Sequence, residues 1–128
     1  MEYVAIVTIL AVLQTFWFAW KVGAARAKTG LAAPACSGAE EFERANRVHL
    51  NTVEQLVLVM PAMWVFAYYV HDLAAAAIGA VFIVGRFVYR SAYLRDPTSR
   101  SVGFVIGALA FAVLALGGLI GAGMRVFG

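Results

Sequence analysis

The chain has 128 residues, of which 63% are hydrophobic and only 13% charged, with a net charge of +3 and a mean hydropathy of +0.85. That balance excludes an ordinary soluble domain, and the length leaves room for one domain spanning residues 1–128. The basic surplus, a pI near 9.4, reads as a membrane-topology signal, and no nucleic-acid partner is expected from it.

A bilayer core about 30 Å thick is crossed by roughly 20 apolar residues in a helix. The first such run gives a helix over 3–25, interrupted up to Val22 only by Thr8, Gln14, Thr15 and Lys21, the last able to snorkel to the interface. Its opening Glu2 and the lack of a cleavage-site pattern before Lys21 argue against a removable signal peptide. Residues 27–40, "AKTGLAAPACSGAE", carry glycine, proline and small residues with no sustained period, which predicts a loop.

A second helix is expected over 41–71, where the acidic residues at its start suit the positive end of the helix dipole. Thirty residues rise about 45 Å, more than the hydrocarbon thickness, so the first half must project from the bilayer or be covered by protein. Pro61 predicts a kink. After a short "HDL" turn, a third helix is expected over 73–95, apolar to Val84 and then "GRFVYRSAYLR", ended by Asp96 and Pro97. The fourth, 101–127, is almost wholly apolar, and Gly103, Gly107, Gly117, Gly118, Gly121 and Gly123 suit close helix contact. The expected fold is therefore an all-α integral membrane four-helix bundle.

Charge asymmetry orients it. Lys21, Arg26, Lys28, Arg44 and Arg47 surround the first loop, Arg86, Arg90, Arg95 and Arg100 the third, and only Arg125 lies at the other end. The positive-inside rule places loops 1 and 3 in the cytoplasm and both termini opposite.

The polar halves of helices two and three sit at that same end. Arg47, Asn51 and Glu54 are spaced i, i+4, i+7 on one face, with Arg44 a turn earlier, and Arg86, Tyr89, Arg90 and Tyr93 repeat the geometry on helix three. Antiparallel neighbours bring the two stripes level. A structural ion-pair network with headgroup anchors accounts for part of this pattern, but Glu54 alone cannot neutralise Arg47, Arg86 and Arg90 at membrane depth. An anionic ligand completes the balance.

Cys36, the single cysteine, has no basic partner in sequence and reads as incidental. His49 falls about 200° round the helix from Arg47 and reads as a bystander. Trp17, Trp20 and Trp64 read as lipid-facing or packing residues. No metal-ligand spacing, phosphate loop or dinucleotide fingerprint is present, and no metal is expected.

"FERANRVHLNTVE", residues 42–54, resembles the E-R-x-x-R-x-x-x-N-x-x-E signature of the membrane-associated proteins in eicosanoid and glutathione metabolism. "GRFVYRSAYLRDPTSRSVG" is similar to the third-loop segment of that family: its Arg-Ser pair to the prostaglandin E synthase branch, its Arg and Tyr series to the leukotriene synthase branch. The resemblance covers essentially the whole chain. It implies a homotrimer that binds glutathione between subunits on the cytoplasmic side.

Residue by residue, it implies that Arg47, Asn51 and Glu54 hold the tripeptide, that Tyr89 and Tyr93 line the same site, and that Arg26 reaches toward a carboxylate, while Arg86 joins the pocket from the polar stripe on helix three. Arg100 matches the arginine against the glutathione sulfur and Ser101 the serine beside it. Bidentate arginine contacts suit the two carboxylates of glutathione, Glu54 its ammonium, and a fixed cation beside the sulfur raises the thiolate fraction. Gln55 and Ala27 depart from the leukotriene synthase branch, which has a tyrosine and a second arginine there.

The expected function is a membrane glutathione transferase or peroxidase acting on a lipophilic small molecule or lipid, with glutathione as co-substrate. The alternative is a non-catalytic lipid-binding scaffold of the same family. A four-helix exporter fits less well, since the first helix offers Gln14 where that class relies on a glutamate.

Overall fold

A computed structural model describes all residues, 1–128, as four long helices and one short turn of 3-10 helix: α1 Glu2–Thr29, α2 Glu40–Tyr69, α3 Asp72–Arg95, the 3-10 turn Pro97–Ser99, and α4 Ser101–Phe127. Each long helix is long and apolar enough to cross a bilayer, and the protein is a multi-pass integral membrane protein. Large apolar side chains such as Val57, Leu109, Leu116 and Leu119 point outward, as a helix bundle in lipid requires.

Helix α1 continues past the expected end at residue 25 to Thr29, because Ala24, Ala25, Ala27 and Lys28 favour helix and Arg26 and Lys28 suit its negative end. Gly30, left-handed at φ 73°, then stops it, so the first loop is shorter than composition suggests. Helix α2 is unbroken through Pro61 and ends at Tyr69, earlier than residue 71. His71 instead caps α3: its Nδ1 accepts from the Ala74 N–H at 3.1 Å, and α3 begins at Asp72. The terminal ammonium of Met1 lies 3.0 Å from Asp72 Oδ2, tying the start of α1 to the α2–α3 turn.

Helices α2 and α3 pack together, α1 packs on both, and α4 packs on both, so α1 and α4 flank the central pair. The half nearest the termini is filled by apolar side chains, including Val4, Val59, Met63, Phe82 and Leu114. Toward the first loop the interior turns polar, with Thr52 and Arg86 almost wholly buried. Small apolar clusters around Phe18, Val48 and Tyr89 and around Ala25, Phe42 and Ala45 surround that layer.

Helices α3 and α4 approach closely at Gly103, where a Cβ would meet the backbone N of Tyr89 at 2.5 Å and its Cα at 2.6 Å. Gly123, expected to join the helix contacts, has nothing within 4 Å of its Cβ position. Gly103→Ala must therefore push backbone from backbone, at about 1–3 kcal/mol, and lower the melting temperature in detergent, while Gly123→Ala leaves it unchanged. Equal melting curves for the two variants would disprove this packing.

Candidate functional site

At the polar end a cleft of about 260 Å³ opens between α2, α3 and the start of α4, lined by Arg47, Asn51 and Glu54, by Tyr89 and Tyr93, and by Arg100, with Leu50 and Phe104 as apolar walls. The α2 residues meet there because their spacing keeps them on one helical face. Tyr89 and Tyr93, one turn apart, stack with ring centroids 5.7 Å apart and planes at 18°. Arg47, Glu54 and Arg100 are exposed, and no hydrogen bond or ion pair within the chain occupies their charged heads.

Behind this wall lies Arg86, 1% exposed. It donates from Nε to Thr52 Oγ1 at 3.2 Å and from Nη2 to Thr52 Oγ1 at 2.8 Å and Asn51 Oδ1 at 2.9 Å. Thr52 can accept these because its own hydroxyl proton goes to the Val48 carbonyl at 2.8 Å. The guanidinium also lies 4.3 Å from the Tyr89 ring centroid. Arginine only donates, so Asn51 must turn its oxygen toward Arg86, which leaves its amide N–H groups free. The cleft thereby gains an oriented neutral donor beside two free cations.

Arg100 is held at the α3–α4 corner. Asp96 accepts from the Thr98 N–H at 3.1 Å and its hydroxyl at 2.9 Å, and Ser99 donates to the Ala92 carbonyl at 3.0 Å. The Thr98 N–H foremost, then its hydroxyl, holds the Asp96 carboxyl below the usual carboxylate range. The capped form is therefore favoured at neutral pH and is lost only as acid brings the pH down through that lowered value.

Some expected site residues lie elsewhere. Arg86 supports the cleft wall from behind and does not line it. Arg26 donates to the Ala35 carbonyl at 2.9 Å and sits 4.3 Å over the Phe42 ring, on a helix that contributes nothing to the cleft. Ser101 faces the adjoining groove with Pro97, Thr98, Arg100 and Phe104. Arg44 reaches the Leu94 carbonyl at 3.0 Å and pairs with Glu40, and Arg90 turns to the opposite flank, over Trp17. Thr52, the anchor of Arg86, escaped sequence reasoning because a threonine within a helix carries no signal until its partner is known. No group of histidine, cysteine, aspartate and glutamate side chains is placed to hold a metal ion.

These features define a polytopic helical membrane protein with a cation-lined cleft at one end of the bundle. The profile of the MAPEG family matches residues 4–120, and the chain belongs to that family. It is 41% identical over 116 residues to an uncharacterized protein of Synechocystis sp., covering 91% of this chain and 85% of that one. Human microsomal glutathione S-transferase 2 is 36% identical over 117 residues, covering 91% and 80% respectively. Bovine leukotriene C4 synthase is 34% identical over 96 residues, covering 75% and 64%.

The anchoring of Arg86 is directly testable. Thr52→Val keeps the shape but removes the acceptor of two bonds from a buried cation, and should cost about 1.5–3 kcal/mol in detergent denaturation, whereas Thr52→Ser should cost much less. Equal stability of Thr52→Val and the parent would contradict the geometry.

Proposed function

We propose that this chain is a glutathione-dependent transferase or peroxidase of the bilayer, acting on a lipophilic electrophile or lipid peroxide. The observation that carries the reading is the cleft itself, which presents two free guanidiniums, one free carboxylate, an oriented amide and two phenols in one place. Glutathione offers the complementary set: two carboxylates, one ammonium and a thiol. Arg47 takes a carboxylate in bidentate fashion, Asn51 donates to the peptide, and Glu54 receives the ammonium.

Arg100 faces the sulfur. A free thiol titrates near 8.5, and an adjacent fixed cation favours its thiolate. The thiol proton leaves to water and the sulfur lone pair attacks. With a carbon electrophile, a carbon–sulfur bond forms as the bond to the leaving oxygen or halide breaks. With a peroxide, the oxygen–oxygen bond breaks, the departing alkoxide takes a proton, and a second glutathione converts the sulfenic acid to a disulfide. The names of the relatives, a glutathione S-transferase and a leukotriene synthase, support this class of activity.

The reading includes a homotrimer with shared sites. The cleft, about 260 Å³, is below the roughly 300–1,000 Å³ of closed ligand pockets and is open on one side, and a second chain would complete its wall. Arg26, remote from its own cleft, would reach a carboxylate only in a neighbour's. The cleft end carries nine of the ten lysines and arginines, which supports a cytoplasmic orientation.

Calorimetry in detergent tests the binding step, and heat of binding is expected at millimolar glutathione. Arg47→Leu should weaken it roughly tenfold or more, the worth of one hydrogen bond to a charged group. Its absence in the parent protein would favour a non-catalytic lipid-binding scaffold. Arg100→Leu should bind nearly as well yet turn over roughly tenfold slower near neutral pH, with partial recovery in alkali, since one pKa unit of lost thiol activation is worth about 1.4 kcal/mol. The ultraviolet absorbance of bound thiolate against pH is the direct readout, and identical curves for parent and variant would remove Arg100 from the sulfur.

Native mass spectrometry in mild detergent should show three chains per particle. A monomer with full activity would refute the shared site.

A further inference from the structure

A second cleft, of about 280 Å³, lies at the same end of the bundle but on the opposite flank of the α2–α3 pair, between α1, α2 and α3. Its charged lining is Lys21 and Lys28 from α1, Glu41 from α2 and Arg90 from α3. Glu41 is taken by Lys28 at 3.0 Å, so the cleft keeps two cations in excess. Neither Lys21 nor Arg90 forms a hydrogen bond or ion pair within the chain, although both are half-buried.

What holds these two heads is an aromatic surface. The Arg90 guanidinium sits 4.8 Å from the Trp17 ring centroid and 5.7 Å from that of Phe18, and the Lys21 ammonium lies 5.1 Å from Trp17. Stacking covers one face of a guanidinium and leaves its edge N–H donors free. Those donors, together with the Lys21 ammonium that lines the same cleft, match the oxygens of a phosphate.

The surroundings decide what carries that phosphate. Going toward the bilayer centre from Trp17 and Arg90, the surface is Trp17 itself, 40% exposed, then Leu13 on α1, with Phe87 and Val84 on α3. Phe87 closes on Trp17 edge-on at 6.1 Å, and Gln14 Nε2 donates to the Ile83 carbonyl at 2.9 Å, sealing α1 to α3 beneath them. An exposed apolar wall thus runs from the cation pair into the membrane, as an acyl chain needs and a free ion does not.

We propose that Lys21 and Arg90, stacked on Trp17, bind the phosphate headgroup of an anionic membrane lipid whose acyl chain lies along the Trp17–Phe87 wall. The site is separate from the cleft of Arg47 and Arg100 and does not depend on the function assigned to that cleft. Each cation at a membrane surface contributes roughly fivefold to anionic-lipid affinity, so removing both should cost about 25-fold.

The test uses the full chain in neutral detergent, with phosphatidylglycerol and phosphatidylcholine of matched acyl chains, read by native mass spectrometry. The parent protein should retain phosphatidylglycerol preferentially, the Lys21→Gln, Arg90→Gln double variant should lose that preference by about 25-fold, and Arg90→Lys should keep most of it. Lys21→Gln alone should lose about fivefold, which covers the case in which the double variant fails to fold. Equal retention of the two lipids by the parent protein, or undiminished phosphatidylglycerol retention by Lys21→Gln, would overturn the proposal. Displacement of the lipid by inorganic phosphate at equal concentration would overturn the assignment to a lipid.

Discussion

A guanidinium buried inside a four-helix membrane bundle is the constraint around which the polar half of the molecule is arranged. Arg86 has no carboxylate partner, and its charge is met only by the Thr52 hydroxyl, the Asn51 amide oxygen and the face of Tyr89. Removing either acceptor would leave donors of a buried cation unmet, which is among the costlier defects a membrane interior can carry. The consequence reaches the surface. Asn51 is rotated, Thr52 is committed, and the tyrosine ring is pinned, so the cleft wall is set before any ligand arrives. The positive charge behind that wall also favours an anionic occupant.

The two ends of the bundle divide the remaining tasks. The terminal half is a packed apolar core, held at its rim by the contact between Met1 and Asp72. The other half gives up apolar packing for charge, and the long α2 carries that charge beyond what a bilayer about 30 Å thick can bury. The flanking positions of α1 and α4 then leave a cleft on either side of the central pair, one rich in hydrogen-bonding groups, the other in cations stacked on aromatics. In the proposed function the first takes a soluble peptide; the second, as inferred above, takes a lipid.

Membership of the MAPEG family sets what is shared with the relatives and what is particular to this chain. The family match spans residues 4–120, nearly the whole sequence. Arg26 donates to the loop carbonyl of Ala35 and stands away from the cleft of its own chain. The proposed trimer rests on that observation and on the open side of the cleft.

Much of this was legible in the sequence, and the reason is the bilayer. Four apolar runs near 20 residues can satisfy their backbone in lipid only as helices, so hydropathy alone determined the fold class. Helical periodicity likewise determined that Arg47, Asn51 and Glu54 share a face, and that Tyr89 and Tyr93 share another. Periodicity fixes a direction around one axis and says nothing of what stands opposite. Whether Arg86 faced the cleft or the interior, and whether Arg90 turned to the ligand side or to Trp17, depended on how α3 is rotated against α1 and α2. That rotation is set by packing, including the close approach at Gly103, and only the tertiary structure decided it. The role of Thr52 belongs to the same class, because a hydroxyl becomes an anchor only when the fold delivers a cation to it.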